Sequence, residues 1–208
     1  MAVANYESTY GSLPPAYVKG PDGTPWHSWR VLILPFLECS EVYNAYRFDE
    51  PWNGPNNRKL ADKVGSTFHR SGLDPATNRT TSFVAVIGPG TAWPGANALK
   101  FADIGDGLDK TLMVVEIPDE STPWMAPIDL DFDRMSFRIN DGSGKGLGSR
   151  LGGARVVTVN DMVRTLQETL PPERLRALLT ANGGEPVDWD ALYNPIQGDR
   201  NAGSRRQP

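Results

Sequence analysis

Glycine and proline interrupt this chain so often that only short helices and strands have room to form. Its 208 residues include 21 glycines and 18 prolines. Proline ends or kinks a helix and lacks the N–H that a sheet needs, whereas glycine is typical of turns. The sequence therefore predicts long ordered loops between short elements. The length suits one domain, for which we expect the bounds 1–197, and the polar, basic residues 198–208 predict a disordered tail.

The strongest strand patterns lie in the second half of the chain. TLMVVEI (residues 111–117) is short, apolar and β-branched, which is typical of a central strand. ARVVTVNDMVRTL (154–166) has two β-branched runs around Asn160 and Asp161, which tolerate positive φ, so it predicts a hairpin with a tight turn. Because an isolated hairpin is marginal, we expect 111–117 to join it in one antiparallel sheet and Val157 to be buried there.

Two further segments complete the prediction for this half. TTSFVAVI (80–87) resembles one buried strand. PPERLRALLT predicts a helix over 172–181, with Pro172 near its first position and Gly183 as its C-cap. Strands followed by a helix, behind a helical start, are typical of the α+β class.

The first half predicts short helices separated by loops. Residues 2–10 have the pattern of the last turns of a helix that ends before a glycine. Ser28 is a suitable N-cap for the next helix, which Pro35 should kink or split. A third short helix is predicted over 57–63, with Asn56 as its N-cap.

The charge and composition exclude some classes of protein. The net charge is −4 and the isoelectric point is near 5.2, whereas a nucleic-acid partner would require a basic surface. We therefore expect no nucleic-acid partner. No run of about 18 apolar residues is present, so no segment of this sequence is expected to span a bilayer.

The usual catalytic patterns are missing from the sequence. Cys39 lies between Glu38 and Ser40 rather than beside a base, and the histidines are His27 and His69 alone. These residues also fall short of the four paired ligands of a structural zinc site. The glycine-rich stretch near Lys145 lacks the spacing of a phosphate loop. We therefore predict a protein that is not an enzyme and has no cofactor, calcium excepted.

Two acidic clusters are candidate calcium ligands. One alternates along a predicted strand and the other lies in a turn-rich segment, and their members are Asp129, Asp131 and Asp133, and Asp103, Asp106 and Asp109. Alternate carboxylates on a strand lie roughly 6.6 Å apart, too far for all three to hold one ion. The competing interpretations are a solvated strand face for the first cluster and a capped turn for the second.

The six tryptophans occur beside proline, glycine and aspartate, as in PWHSW, PWNGP, AWPG, PWMAP and VDW. If exposed, they would suit stacking on sugar rings and hence a glycan-binding module. If buried, they would anchor the long loops in place of a regular core. A row of exposed aromatic side chains on one face would favour the first interpretation.

Several long segments, in order, resemble a large bacterial family of prepilin-type proteins that is abundant in planctomycetes. The segments are NYESTYGSLPPAYV, HSWRVLILPFLE, YRFDEPWNGPNNRKL, VIGPGTAWPG, ADIGDGLDKTLMVVEI, PWMAPIDLDFD and LRALLTANGGE. In that family an N-terminal cleavage and methylation helix precedes a domain of unknown function. The family's late motif is His, nine residues, then Asp-Gly, and here Arg150 and Asn160-Asp161 occupy those positions. Members of the family often carry a Cys-Pro pair in the middle of the chain. The corresponding stretch here, STFHRSG, lacks that pair.

The resemblance implies a pseudopilin-like head, in which residues 1–10 end a longer apolar helix that precedes this sequence. That helix would anchor the protein in the membrane and mediate self-assembly or pairing with other pilin-like subunits. The implied role is structural, at the cell envelope or outside the cell. The alternative is a secreted module that binds a ligand such as a glycan.

Overall fold

The computed structural model describes residues 2–64, 67–68, 79–119, 121–187 and 189. The α-helices are α1 (Ala2–Tyr10), α2 (Trp29–Leu32), α3 (Ser40–Ala45) and α4 (Pro172–Leu179). Short 3-10 helices cover Leu34–Phe36, Asn57–Leu60 and Phe101–Asp103. The strands are β1 (Tyr17–Lys19), β2 (Pro25–Ser28), β3 (Thr80–Thr81), β4 (Phe83–Val84), β5 (Val86–Ile87), β6 (Leu112–Glu116), β7 (Thr122–Pro123), β8 (Leu130–Asp131), β9 (Ala154–Thr158) and β10 (Val163–Leu166).

These elements form a mixed α+β fold, as the sequence predicts. The largest sheet has four antiparallel strands in the order β10-β9-β6-β4. The predicted hairpin and its predicted third strand are therefore confirmed. The bounds 1–197 remain a prediction, and the predicted tail at 198–208 lies outside the described residues.

The turn between β9 and β10 is one residue longer than predicted. Thr158 N donates to Met162 O at 3.0 Å, so three residues form the loop, and of the predicted pair only Asp161 takes a positive φ, of 64°. The reason lies in the core. Val159 is 1% exposed, and its N–H donates to Thr111 O, just before β6. Tertiary burial of Val159 thus lengthens the turn.

The single strand predicted over 80–87 is wrong. The segment divides into β3, β4 and β5, which pair with β7, β6 and β8 in three different sheets. Side chains take hydrogen bonds that a continuous strand would have used: Thr81 Oγ1 accepts from Phe83 N, and Asp129 Oδ1 accepts from Ala85 N. Competition of this kind breaks the strand into pieces.

The first-half helices agree with the sequence in two cases out of three. Helix α1 covers the predicted 2–10, and Ser28 caps α2 by accepting from Arg30 N. Pro35 lies in the following 3-10 helix, so the predicted split is confirmed. The helix predicted over 57–63 forms only in part, as the 3-10 helical turn Asn57–Leu60. The side chain of Asn56 does not cap it.

The backbone before that turn is instead held by an acidic side chain. Glu50 Oε1 accepts from the N–H groups of Asn56 and Asn57 at 2.8 and 2.7 Å. The predicted C-cap of the late helix is also wrong, because α4 ends at Leu179 and its C-cap is Thr180 rather than Gly183. The N–H of Gly183 donates to Asp106 instead.

Two groups of buried apolar side chains form the core. Helix α4 covers one face of the four-stranded sheet with Leu175 and Leu178, which belong to the same cluster as Val156. The other cluster contains Trp93 and Trp124 and lies beneath α1, α2 and the long loops. Among the described residues, no helix is long and apolar enough to cross a membrane.

Candidate functional site

An apolar depression lies where the first residues of α1 meet the open face of the four-stranded sheet. We call it the sheet groove, and it encloses about 350 Å³. Its lining includes Ala2, Val3, Trp29, Ile33, Leu37, Phe83, Met113, Val114, Val157 and Val163. This is the face that α4 does not cover.

The sheet groove leaves apolar side chains open to solvent. Val163 is 64% exposed, and Val157, which was predicted to be buried, is only half-buried. The charged lining residues are Arg155 and Asp161. The Nε of Arg155 lies 3.3 Å from Oε2 of buried Glu116. The groove thus offers an apolar surface, with no nucleophile beside a base among its lining residues, and suits contact with another apolar element.

A second exposed surface is built from aromatic rings around the end of α1. We call Tyr6, Tyr10, Phe36, Tyr43 and Phe48 the aromatic surface. The Tyr6 and Tyr10 ring centroids lie 4.5 Å apart, and both rings meet Phe36 edge-on at 6.1 and 6.4 Å. The Tyr43 and Phe48 rings lie 5.7 Å apart. Tyr10 and Phe48 are 58% and 40% exposed, so this surface is available to a partner.

Beneath Phe48, the aromatic contacts continue into the protein. His27 is 2% exposed, and its Nδ1 lies 2.9 Å from the hydroxyl of Tyr46. Burial lowers the pKa of His27 and raises the pKa of Tyr46. Both groups are therefore held neutral at pH 7, and they support the aromatic surface rather than supply an exposed acid or base.

A buried ion pair joins the first half of the chain to the second. Arg30 Nη2 donates to Asp129 Oδ1 at 2.8 Å, and both side chains are 0% exposed. Arg30 also donates to Phe83 O and to Ser28 Oγ. Burial raises the pKa of Asp129, while Arg30 and the N–H of Ala85 lower it. This pair connects α2 to the broken strand segment.

The first predicted calcium cluster is not brought together. Asp129 is buried against Arg30, whereas Asp131 and Asp133 are exposed. The interpretation of all three as a solvated strand face is therefore wrong for Asp129. Asp131 accepts from the N–H of Asp133.

The second predicted calcium cluster is used for turns and loop contacts. Asp103 Oδ2 accepts from Lys100 N, in agreement with the capped-turn interpretation. Asp106 accepts from Gly183 and Gly184, and Asp109 O accepts from a tryptophan N–H. No group of three or more His, Cys, Asp or Glu side chains placed to hold a metal occurs in the part of the chain that the structure describes. Calcium at either cluster remains a prediction.

The tryptophans anchor loops. All six lie among the described residues, and none of them is exposed. Their indole N–H groups reach distant backbone carbonyls: Trp93 donates to Met113, Trp124 to Ala61 and Trp189 to Asp109. The loop-anchoring interpretation is confirmed for these three.

The remaining singled-out residues form no site together. Cys39 is half-buried, with its Sγ 3.9 Å from Thr67 Oγ1. Arg150, at the departure from the resembled motif, is exposed in a turn. His69 and most of the STFHRSG segment lie outside the described residues.

Sequence reasoning missed the aromatic surface and the ion pair. The sequence pattern pointed to tryptophans as the candidate residues for stacking on sugars. The exposed rings instead belong to tyrosine and phenylalanine residues from three separate segments. The ion pair left one signal, because Arg30 stands among apolar residues in HSWRVLILPF. An arginine in that setting is buried only with an acidic partner.

Comparison with known proteins gives a match in the first part of the chain. A family described as a protein of unknown function (DUF1559) matches residues 1–97. The match extends from α1 through β5 and includes every residue of the aromatic surface. No curated protein and no solved structure matches the chain.

Proposed function

We propose that the chain is the head of a pseudopilin-like, non-enzymatic structural or assembly protein at the cell envelope or outside the cell. The observation that carries this proposal is the placement of α1. Val3 of α1 is 5% exposed and belongs to the core, while Asn5, Ser8 and Thr9 face solvent. A short helix of this sequence is stable only when it packs against the head.

The sheet groove supports assembly because it begins at the first residues of α1. In this proposal, α1 is the head-proximal end of an apolar helix that anchors the protein in a membrane. Neighbouring subunits, identical or pilin-like, would then approach along that helix. The exposed side chain of Val163 and half-buried Val157 offer them an apolar surface. Apolar patches of this kind mark interaction sites.

Site-specific crosslinking in the native host tests the proposal. In a Cys39→Ser background, a cysteine would replace Val163 in the groove, and the matched control would replace Leu151, which is 79% exposed outside the groove. We expect oxidant-dependent dimers or ladders for V163C in the envelope fraction and none for L151C. Monomers alone for both variants, together with recovery in the soluble cell fraction, would contradict the proposal.

The aromatic surface favours a second candidate, a module that binds glycans. It presents two exposed rings beside three half-buried ones, and the exposed rings are available to stack on sugars. The test is affinity electrophoresis with soluble polysaccharides for the parent and for a double variant, Tyr10→Ala with Phe48→Ala. Leu151→Ala is the control. Retardation of the parent and the control but not the double variant would support this candidate, whereas equal mobility of all three would exclude it for the polysaccharides used.

A further inference from the structure

The rings of the aromatic surface are inclined to one another rather than arranged as a flat platform. Tyr6 and Tyr10 meet at an interplanar angle of 45°, and their rings meet Phe36 at 74° and 85°. The Tyr43 and Phe48 rings meet at 62°. Stacking on a sugar uses one flat face, and inclined rings do not combine into such a face, whereas a compact group can contact two inclined rings at once.

The residues that adjoin these rings are mostly acidic. Five acidic residues and one basic residue lie within two positions of a ring along the chain, and they are Glu7, Glu38, Glu41, Asp49 and Glu50, and Arg47. Glu38, Glu41 and Asp49 are exposed, and in the described part of the chain none of these three forms an ion pair. The carboxylates therefore attract a cation to the aromatic surface and repel an anion.

Arginine side chains lie over aromatic rings elsewhere in this protein. The guanidinium carbon of Arg164 lies 4.5 Å from the ring centroid of Trp189, and that of Arg176 lies 4.7 Å from the ring centroid of Phe132. Among the described residues, no Arg or Lys lies over a ring of the aromatic surface. Its ring faces are thus open to a cation from another molecule.

We infer that the aromatic surface binds arginine side chains from a basic, extended segment of a partner protein. A guanidinium group suits it better than an ammonium group, because guanidinium is planar, stacks on ring faces and is more weakly hydrated. The rings form two groups, one around Tyr10 and one around Phe48, so two arginines of one segment can bind together. The inference does not depend on assembly through the sheet groove, which the crosslinking of V163C tests separately.

Fluorescence anisotropy with a labelled peptide and the whole chain tests the inference. The probe is the peptide Gly-Arg-Gly-Arg-Gly, and its matched probe carries citrulline in place of each arginine, which keeps the planar group and removes its charge. We expect the citrulline peptide to bind about tenfold more weakly, and added salt to weaken binding of the arginine peptide. A neutral polysaccharide in excess should not displace the arginine peptide. Equal binding of the two peptides, no binding of either, or displacement by the polysaccharide would overturn the inference.

Two sets of variants locate the binding to the aromatic surface. Tyr10→Leu keeps an apolar side chain and removes the ring, and should weaken binding about threefold. Glu41→Gln with Asp49→Asn should have a similar effect. The matched control is Glu173→Gln with Asp133→Asn, which removes the same charges outside the surface, since Glu41 and Glu173 each lie in the first turn of a helix. Parent affinity in Y10L, or equal loss in the two pairs of acidic variants, would contradict this binding site.

Discussion

The region before residue 64 and the four-stranded sheet are stabilised in different ways. In the first region, polar side chains satisfy the backbone: buried Asn57 donates to the carbonyl groups of Arg47, Glu50 and Pro51. In the sheet, backbone ladders hold the strands, and apolar side chains such as Val156 fill the face beneath α4. The first region also carries the aromatic surface and lies wholly within the family match.

This difference indicates which substitutions each of the two regions should tolerate. A sheet tolerates exchange of exposed side chains, because its hydrogen bonds belong to the backbone. A loop region held by individual side chains loses those bonds when a single residue changes. The following substitutions test this contrast, from the largest expected effect to the smallest.

Val156→Asp should abolish folding of the sheet region. Val156 is 1% exposed, so the new carboxylate would be buried without a partner, at a cost above about 4 kcal/mol. Val157→Asp, one residue further on, lies in the half-buried sheet groove and should leave a folded protein. Circular dichroism melts of the two variants measure this. Equal loss of structure in both would mean that the two faces of β9 are not distinct.

Asp129→Ala should destabilise the connection between the two regions by about 3–5 kcal/mol, because it leaves the charge of Arg30 buried and uncompensated. Asp131→Ala, at an exposed residue two positions away, should stay within about 0.5 kcal/mol of the parent. Urea denaturation gives both values. Similar midpoints for the two variants would argue against a buried ion pair.

Asn57→Ala should cost about 1–3 kcal/mol, because it removes the donor for three backbone carbonyl groups. The exposed residue Asn53 provides the control, Asn53→Ala, with little change expected. The midpoints of urea denaturation for the two variants measure this difference in stability. An Asn57→Ala midpoint equal to that of the control would refute the view that single side chains hold the first region.

Acidification should destabilise the first region through His27. Burial lowers its pKa in the folded protein below the value of about 6.5 that an unfolded chain has. The stability that the neutral ring contributes is therefore complete above about pH 6.5 and is lost as the pH falls through the folded pKa. His27→Gln should reduce the slope of melting temperature against pH between neutral and mildly acidic conditions. An unchanged slope in His27→Gln would rule out His27 as the cause of the acid destabilisation.

Tyr10→Ser should change the free energy of unfolding by less than about 0.5 kcal/mol, because Tyr10 is 58% exposed. The same variant should weaken whatever contact the aromatic surface makes. Denaturation curves alongside the crosslinking and electrophoresis experiments separate the two effects. A large loss of stability would assign Tyr10 to the core instead.

Local patterns were sufficient for some of this fold. The β-branched runs of 154–166 around Asn160 and Asp161 predicted a hairpin, and Pro172 at the start of PPERLRALLT predicted α4, because those signals act between residues close in sequence. Ser28 was recognised as an N-cap for the same reason. The length of the β9–β10 turn was not predicted correctly, because it depends on the burial of Val159 beside Thr111.

The sequence by itself determined the α+β class, the hairpin with its third strand and the helix at 2–10. Tertiary structure alone decided which carboxylate is buried and where the strand at 80–87 breaks. Asp129, Asp131 and Asp133 have the same local pattern, yet only Asp129 meets Arg30, which lies 99 positions earlier in the chain. Hydrogen bonds between such distant residues leave no periodic trace, so the buried ion pair and the aromatic surface become visible only once the chain is folded.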